Sequence, residues 1–385
     1  MPLRQKSGIL ALQMRTNASE LSLIQQIRLR TGVAGGEIRL GIGDDCALLR
    51  PRAGEEIAIT TDFSLENVHF RLDWHPPQSV GHRSLARGLS DLAAMGARPI
   101  GALLSLALPA ELTVAEQGGR SWAELFLDGF LALAGAFKVP LIGGDTAQSA
   151  STDHAGSAQS GVAADVVLLG GVKRGCALRR SGARPGDLIY VTGALGGAAA
   201  ELLSLGREPD CFRHLTAAPA AGTGSTRRFG HAAESASAHP HLYPEPRVAV
   251  GRKLVGLATA AIDLSDGISA DLRHICEESG LSAVIQNLLV HPLAIEAESG
   301  GWTPSALKLA LDGGEDYELL FTAAPQTTIP KALAGVAIHA IGEMRRRGRG
   351  RPMIQLGVET GRGRTRLVPV EPGGWEHFRH GAGPP

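Results

Sequence analysis

The chain has 385 residues, and 38 Lys and Arg side chains balance 38 Asp and Glu side chains, so the formal net charge is zero. This balance leaves no excess of basic residues for neutralising a phosphate backbone, which argues against a nucleic-acid-binding protein. Hydrophobic residues make up 44% of the chain, which excludes wholly disordered proteins, and the longest apolar stretch, residues 100–108, is about half of a membrane span. We therefore expect small-molecule partners, with neither nucleic acid nor a membrane.

The four cysteines are far apart in the sequence and form no C-x-x-C pair, which is typical of reduced thiols in the cytosol. They are Cys46, Cys176, Cys211 and Cys276. The N-terminal residues lack the long apolar core and the cleavage pattern of a signal peptide. We expect a cytoplasmic protein.

A chain of this length exceeds what one hydrophobic core usually organises, so we expect two domains. The predicted division gives a flexible tail at 1–18, an N-terminal domain at 19–172 and a C-terminal domain at 173–385. The segment 216–240 is rich in Ala, Gly, Ser, Thr and His without periodicity, and we interpret it as a low-complexity surface insertion. The Ser- and Ala-rich stretch 149–160 is interpreted as a passive loop in preference to a lid.

Apolar periodicity predicts alternating strands and helices in both halves of the chain. The N-terminal half begins with a helix capped by Ser19. It then has strands at 57–61, 100–108, 139–142 and 162–169, and helices at 80–95 and 114–137. The C-terminal half has strands at 188–191, near 262, and at 317–322, 338–341 and 367–370, with helices at 198–205, 248–258 and 268–278. This pattern predicts an α+β or α/β protein of two layered domains.

Five turns that follow apolar segments contain aspartate together with glycine, serine or threonine. These turns are Gly43-Asp44-Asp45, Thr60-Thr61-Asp62, Ser90-Asp91, Gly143-Gly144-Asp145 and Asp263-Leu264-Ser265-Asp266-Gly267. One such turn is ordinarily only structural, because Asp favours caps and turns. Parallel layers would bring five of them to one edge, where carboxylates repel one another and raise each other's pKa unless cations intervene. Oxygen ligands without His or Cys favour Mg²⁺, and Mg²⁺ favours a polyphosphate substrate.

Taken together, several sequence blocks resemble the thiamine-monophosphate kinase family. They are Gly41-Ile-Gly-Asp-Asp-Cys-Ala-Leu-Leu49, Thr60-Thr-Asp62, Val68-His-Phe70, Leu89-Ser-Asp-Leu-Ala-Ala-Met-Gly96, Leu141-Ile-Gly-Gly-Asp-Thr146, Tyr190-Val-Thr-Gly193, Ile262-Asp-Leu-Ser-Asp-Gly267 and Gly313-Gly-Glu-Asp-Tyr-Glu-Leu-Leu-Phe321. The resemblance implies ATP-dependent phosphorylation of thiamine monophosphate to thiamine diphosphate by direct in-line transfer. It also implies the fold of aminoimidazole ribonucleotide synthetases, with ATP and Mg²⁺ bound at the N-terminal domain, which pairs in a homodimer.

The resemblance also assigns expected roles to individual residues. The expected catalytic and Mg²⁺-binding carboxylates are Asp44, Asp62, Asp91, Asp145 and Asp263, and further expected metal ligands for several ions are Thr60, Thr61 and Asp266. Expected ATP contacts are Gly144, Asp145, Arg180 and Ser265. Expected contacts to thiamine monophosphate are His69, Glu315 and Trp375, because a carboxylate and an aromatic face suit the thiazolium cation.

Two other interpretations stay open at this point. A sibling ATP-dependent synthetase, acting on aminoimidazole ribonucleotide or selenophosphate chemistry, would share the ATP and Mg²⁺ site. A regulator that binds nucleotide and metal without catalysis would bind the same ligands and form no ADP.

Overall fold

The computed structural model describes residues 20–31, 35–115, 119–149, 161–213, 215, 238–360, 364–371 and 373–374. The predicted tail at 1–18, most of the loop at 149–160 and the insertion at 216–240, and Trp375 lie outside the described residues. The α-helices of the described chain are α1 (Glu20–Arg30), α2 (Pro77–Ala94), α3 (Trp122–Phe137), α4 (Gly197–Arg207), α5 (Val248–Leu254), α6 (Ile268–Ser279), α7 (Pro292–Ser299) and α8 (Ala306–Asp312).

The strands of the N-terminal half form a short β1–β2 pair and a four-stranded sheet in the order β3-β6-β4-β5. In that sheet β6 is antiparallel to both β3 and β4, and only β5 runs parallel to β4. The expectation of parallel pairing is therefore wrong for most of this sheet, because β6 lies between β3 and β4 and runs in the opposite direction to both. The strands are β1 (Ile38–Leu40), β2 (Leu48–Leu49), β3 (Glu55–Leu65), β4 (Arg98–Leu108), β5 (Leu141–Gln148) and β6 (Ala163–Lys173).

The C-terminal half contains an eight-stranded sheet in the order β14-β13-β9-β12-β7-β10-β8, with β11 paired to β12 off this path. Only β13 and β9 are parallel, and the other pairs are antiparallel. The strands are β7 (Leu188–Thr192), β8 (Ala260–Asp263), β9 (Leu281–Ile285), β10 (Leu319–Ala323), β11 (Ala332–Leu333), β12 (Val336–Arg346), β13 (Ile354–Thr360) and β14 (Arg364–Pro369).

Helices α2 and α3 cover one face of the four-stranded sheet and cross each other very closely. A Cβ atom built on Gly81 of α2 would overlap the carbonyl oxygen of Phe126, and a Cβ on Gly129 of α3 would overlap the carbonyl oxygen of Gln78. The two glycines therefore let the backbones approach where any side chain would separate them.

The start of α3 differs from the prediction of a helix from residue 114. A 3₁₀ turn at Ala110–Thr113 follows β4, and α3 begins only at Trp122. Ser121 accepts a hydrogen bond from the Glu124 amide, and the Glu124 carboxylate accepts one from the Ser121 amide. This capping box fixes the first turn, and the Val114 backbone is extended.

Other predicted elements lie where expected, including the helix at 80–95, observed as α2, and the helix at 268–278, observed as α6. The helix predicted at 248–258 ends earlier, at Leu254. One buried cluster joins the halves of the chain, since Leu89 and Leu168 belong to the same core as Val248 and Phe321. Among the helices of the described chain, none is both long and apolar enough to cross a membrane.

Candidate functional site

Three of the five motif aspartates meet between the two sheets. Asp62 lies on the face of β3 that packs against α2, because its partner Val166 on β6 is fully buried. Asp91 lies on α2, where its carboxylate accepts a hydrogen bond from the Thr60 hydroxyl. Asp263 ends β8 and is 5% exposed. We call these three aspartates the acidic cluster.

The acidic cluster holds carboxylates that resist ionisation. Burial and the charge of Asp91 raise the pKa of Asp62 from 3.8 to about 7. The same two causes raise the pKa of Asp263 to about 7, and burial also raises the pKa of Asp91. Like charges that share a buried position disfavour one another. The cluster is therefore short of positive charge.

Arg180 and the turn after β8 border the cluster. The charge of Arg180 lowers the pKa of both Asp91 and Asp263, which places this exposed guanidinium close to them. In the turn, the amides of Ser265, Asp266 and Gly267 all donate to the Asp271 carboxylate at 3.1 Å. This arrangement fixes the backbone at the start of α6 and leaves the side chains of Ser265 and Asp266 half-buried.

Asp145 lies away from the acidic cluster. In the sheet register it stands beside Ser105, which pairs in turn with Asp165, so Asp145 lies on the exposed face, opposite the face that carries Asp62. Strands β5 and β3 are the two edges of the sheet, three spacings or roughly 14 Å apart. The expectation that the motif aspartates converge at one edge is wrong for Asp145, because Asp145 lies on the opposite face of the sheet from Asp62 and on the other edge strand.

Asp44 occupies an exposed turn, where its carboxylate accepts a hydrogen bond from the Asp45 amide at 3.0 Å. This turn lies near the start of β5, since a Cβ on Gly41 would stand 4.0 Å from the Ile142 carbonyl oxygen. Backbone packing requires glycine at position 144, because a Cβ atom on Gly144 would overlap the carbonyl oxygen of Leu104.

Within the described residues, no three His, Cys, Asp or Glu side chains are close enough together to ligate a single ion. The acidic cluster therefore leaves coordination positions of a bound ion to be filled by other ligands. Mg²⁺ commonly takes one or two protein carboxylates and completes its shell with water and substrate phosphate. The donor set fits that ion in its chemistry.

A second part of the site is a cavity beside His69, lined by Ser64, His69, Phe70, Val80, Arg83 and Arg87 and enclosing about 190 Å³, part of it open to solvent. The Leu65 amide donates to His69 Nδ1 at 3.0 Å. The neutral ring of His69 therefore carries its proton on Nε2.

Glu315 lies on the loop that precedes β10, next to this cavity. Its backbone has φ 56°, in the left-handed region, and the Glu315 amide donates to the Ser265 carbonyl. Arg83 donates to its carboxylate at 2.6 Å, and His241 Nδ1 lies 3.0 Å from the other carboxylate oxygen. Although burial opposes ionisation, Arg83 and His241 hold the pKa of Glu315 well below its usual value. The Glu315 carboxylate therefore already has an ion-pair partner in Arg83, in addition to the thiazolium contact expected from the sequence.

Several polar residues of the site were missed in the sequence. Asp165 accepts a hydrogen bond from Thr61 at 2.6 Å, on the exposed face of the sheet. His241 accepts from Arg83 at 2.6 Å. Arg87 lies on α2 one helical turn before Asp91, and this i, i+4 spacing on a largely buried helix was a usable signal. No comparable sequence signal pointed to His241.

Comparison with known proteins identifies the family. Residues 43–171 match the family model described as AIR synthase related protein, N-terminal domain. The chain is 36% identical over 332 residues to the thiamine-monophosphate kinase of Salmonella typhimurium (strain LT2), covering 84% of this chain and 87% of that protein. The chain belongs to the thiamine-monophosphate kinase family. The family and the α+β fold expected from the sequence are thereby confirmed.

Solved structures of the thiamine-monophosphate kinase family agree. The crystal structure of the Stenotrophomonas maltophilia K279a kinase aligns with a TM-score of 0.66 at 35% identity, over 88% of this chain and 96% of that one. AaThiL, complexed with AMPPCP and TMP, aligns with a TM-score of 0.64 at 27% identity, over 94% of this chain and 97% of that one.

Proposed function

We propose that this chain transfers the γ-phosphoryl group of ATP to thiamine monophosphate, giving thiamine diphosphate and ADP. The observation that carries the proposal is the acidic cluster, in which three aspartates from distant sequence blocks meet between the sheets. Kinases of phosphate groups need positive charge held between two anionic substrates. The relatives are thiamine-monophosphate kinases, and AaThiL forms a complex with AMPPCP and TMP, which supports the same reaction.

We assign the binding of several Mg²⁺ ions to the acidic cluster with Thr60 and Asp266, and to Asp44, Asp145 and Thr61, of which Thr61 lies on the exposed face of β3 beside Asp165. Bound Mg²⁺ would screen the repulsion between the phosphates and stabilise charge on the transferring group. The raised pKa values of Asp62 and Asp263 support this assignment, because burial and the charge of Asp91 outweigh the nearby arginine at each carboxylate and leave an excess of negative charge.

The nucleotide is assigned to Gly144, Asp145, Arg180 and Ser265, and thiamine monophosphate to His69, Glu315 and Trp375. The position of Arg180 beside Asp91 and Asp263 supports a phosphate contact. The location of His69 and Glu315 around one cavity supports a substrate pocket.

The chemistry needs no strong general base. The second pKa of a phosphate monoester is near 6, so the attacking oxygen is already mostly ionised at pH 7. That oxygen forms a bond to the γ-phosphorus while the bond to the bridging oxygen of ADP breaks, and no phosphoenzyme forms. Stoichiometric phosphorylation of the protein by labelled ATP would contradict the direct transfer.

We also propose a homodimer that buries the exposed face of the four-stranded sheet. Ile59 and Phe63 on β3 are 67% and 58% exposed, and Ile57 is 38% exposed. Adjacent apolar side chains of this kind favour an interface. The Ile59→Asp variant is expected to be a monomer in light scattering, whereas Ile295→Asp, at an exposed isoleucine on α7, leaves the mass unchanged. A wild-type monomer would contradict this assembly.

The cytoplasm is the proposed location, supported by four free cysteines without disulfide bonds.

The reaction is tested with purified protein, Mg-ATP and thiamine monophosphate, with unphosphorylated thiamine as the control acceptor. We expect thiamine diphosphate and ADP in equal amounts from the monophosphate and no product from thiamine. ADP formation with another acceptor only would favour a sibling synthetase, and binding without ADP would favour a regulator. Either result would overturn the proposal.

A further inference from the structure

The cavity beside His69 is lined by two guanidinium groups, and their partners differ. Arg83 is 4% exposed at its side chain and is engaged by Glu315, His75 and His241. Arg87 Nε lies 3.8 Å from Asp62 Oδ1, which is longer than a hydrogen bond. Arg87 Nη1 is buried and has no hydrogen-bond partner among the described residues.

An unpaired guanidinium N–H is costly to bury, because it has lost its water without gaining an acceptor. Arg87 nevertheless keeps its proton, because a guanidinium group stays ionised throughout the pH range in which proteins are folded. The group therefore presents a fixed positive charge and a free donor at the wall of the cavity.

Arg87 also occupies the boundary between the two parts of the site. Its Nε lies 3.8 Å from Asp62, a member of the acidic cluster, and the Arg87 side chain lines the cavity together with His69 and Ser64. The acceptor in the proposed reaction has one anionic group, its terminal phosphate, and one cationic group, its thiazolium ring. Only the phosphate suits a cavity wall that carries arginine.

We propose that Arg87 binds the phosphate of thiamine monophosphate and holds it at the border of the acidic cluster. This inference rests on the proposed function and deepens it by orienting the substrate. The phosphate faces Arg87 and the cluster, and the ring system lies further from the cluster. Arg87 then distinguishes the phosphorylated acceptor from free thiamine.

The test compares the binding of thiamine monophosphate and of thiamine by titration calorimetry in the absence of ATP. For Arg87→Gln we expect the affinity for the monophosphate to fall about ten- to a hundredfold, the usual loss for a charged hydrogen bond, while the affinity for thiamine stays unchanged. Arg87→Lys keeps the charge and is expected to retain most of the preference. Arg71→Gln, at an exposed arginine paired with Asp73, is the matched control.

The inference is overturned if Arg87→Gln leaves the ratio of the two affinities unchanged, whether both affinities stay the same or both fall equally. If Arg87→Gln does not fold, a crystal structure of the wild-type protein with thiamine monophosphate decides. The inference requires a phosphate oxygen within hydrogen-bond distance of Arg87 Nη1, and a phosphate bound elsewhere contradicts it.

The two proposals fail separately. If the wild-type protein phosphorylates thiamine monophosphate but Arg87→Gln still prefers the monophosphate to thiamine, only the inference about Arg87 is wrong. If the wild-type protein binds phosphate esters through Arg87 but forms no thiamine diphosphate, the proposed reaction is wrong and the inference about Arg87 stands.

Discussion

Asp91 has carboxylate neighbours in both Asp62 and Asp263, and its charge raises the pKa of each. Asp91→Asn removes one of three repelling charges and keeps an acceptor for Thr60. We expect kcat/KM to fall about a hundredfold or more, while the free energy of unfolding measured in EDTA increases by about 1 kcal/mol. A variant that loses stability and keeps activity would show that Asp91 has only a structural role.

Arg83 is the buried counter-ion of Glu315. Arg83→Met leaves that carboxylate buried beside His241, so we expect the free energy of unfolding to fall by about 3–5 kcal/mol in urea titrations. Adding Glu315→Gln removes the stranded charge and is expected to recover much of the loss. Arg71→Met breaks an exposed pair with Asp73 and a contact with the Trp74 ring, and it should change stability by less than about 1 kcal/mol.

At the residue scale, the sequence identified Asp62, Asp91 and Asp263 because carboxylates in turns after apolar segments are chemically conspicuous. It did not identify Arg87 or His241, whose importance depends on what surrounds them. Residue 241 reaches Glu315 across more than seventy positions of sequence, and no local pattern encodes that distance.

Among the elements, the crossing of α2 and α3 depends on two glycines. Gly129→Ala would place a methyl group against the Gln78 carbonyl, so we expect a loss of about 3 kcal/mol in unfolding free energy. Gly135→Ala lies in the same helix with no atom within 4 Å of the new Cβ. It should instead stabilise the protein by about 0.5–1 kcal/mol, and equal effects of both changes would contradict the close crossing.

Helix α2 also carries a histidine that is neutral in the fold. His82 donates to the Pro244 carbonyl at 2.8 Å, and burial lowers the pKa of His82 from 6.5 to about 4. The unfolded chain binds a proton between these values and the folded chain does not. The stabilisation, about 3 kcal/mol, is therefore full above pH 6.5 and lost as pH falls towards 4. Urea titrations at pH 7 and pH 4.5 should show a smaller difference for His82→Gln than for wild type.

Helices with a clear apolar stripe, such as α2 and α6, were predictable from periodicity. The direction of strands was not, because the apolar pattern of a strand is the same whether it runs parallel or antiparallel to its neighbour. The start of α3 was also missed, because the predicted helix included Val114 and Ala115, although Gly118, Gly119 and the cap Ser121 precede Trp122 in the sequence.

For the whole molecule, the shared core predicts cooperative unfolding. Leu89 and Leu168 of the N-terminal half pack in one buried cluster with Val248 and Phe321 of the C-terminal half. We expect one calorimetric transition with equal calorimetric and van't Hoff enthalpies. Two resolved transitions would favour the division at residue 172 as a boundary between independent folding units, which at present stays a prediction.

The spacing of charges along α2 has a consequence for how the reactants are aligned. Arg87 and Asp91 are four residues apart, so their Cα atoms are separated by about 6 Å along the helix axis, and Arg87 Nε lies 3.8 Å from Asp62 Oδ1. With the acceptor phosphate held at Arg87, a single helix would carry both the group that binds this phosphate and a carboxylate assigned to Mg²⁺. The distance between the acceptor and the metal site would then be set by the geometry of one helix.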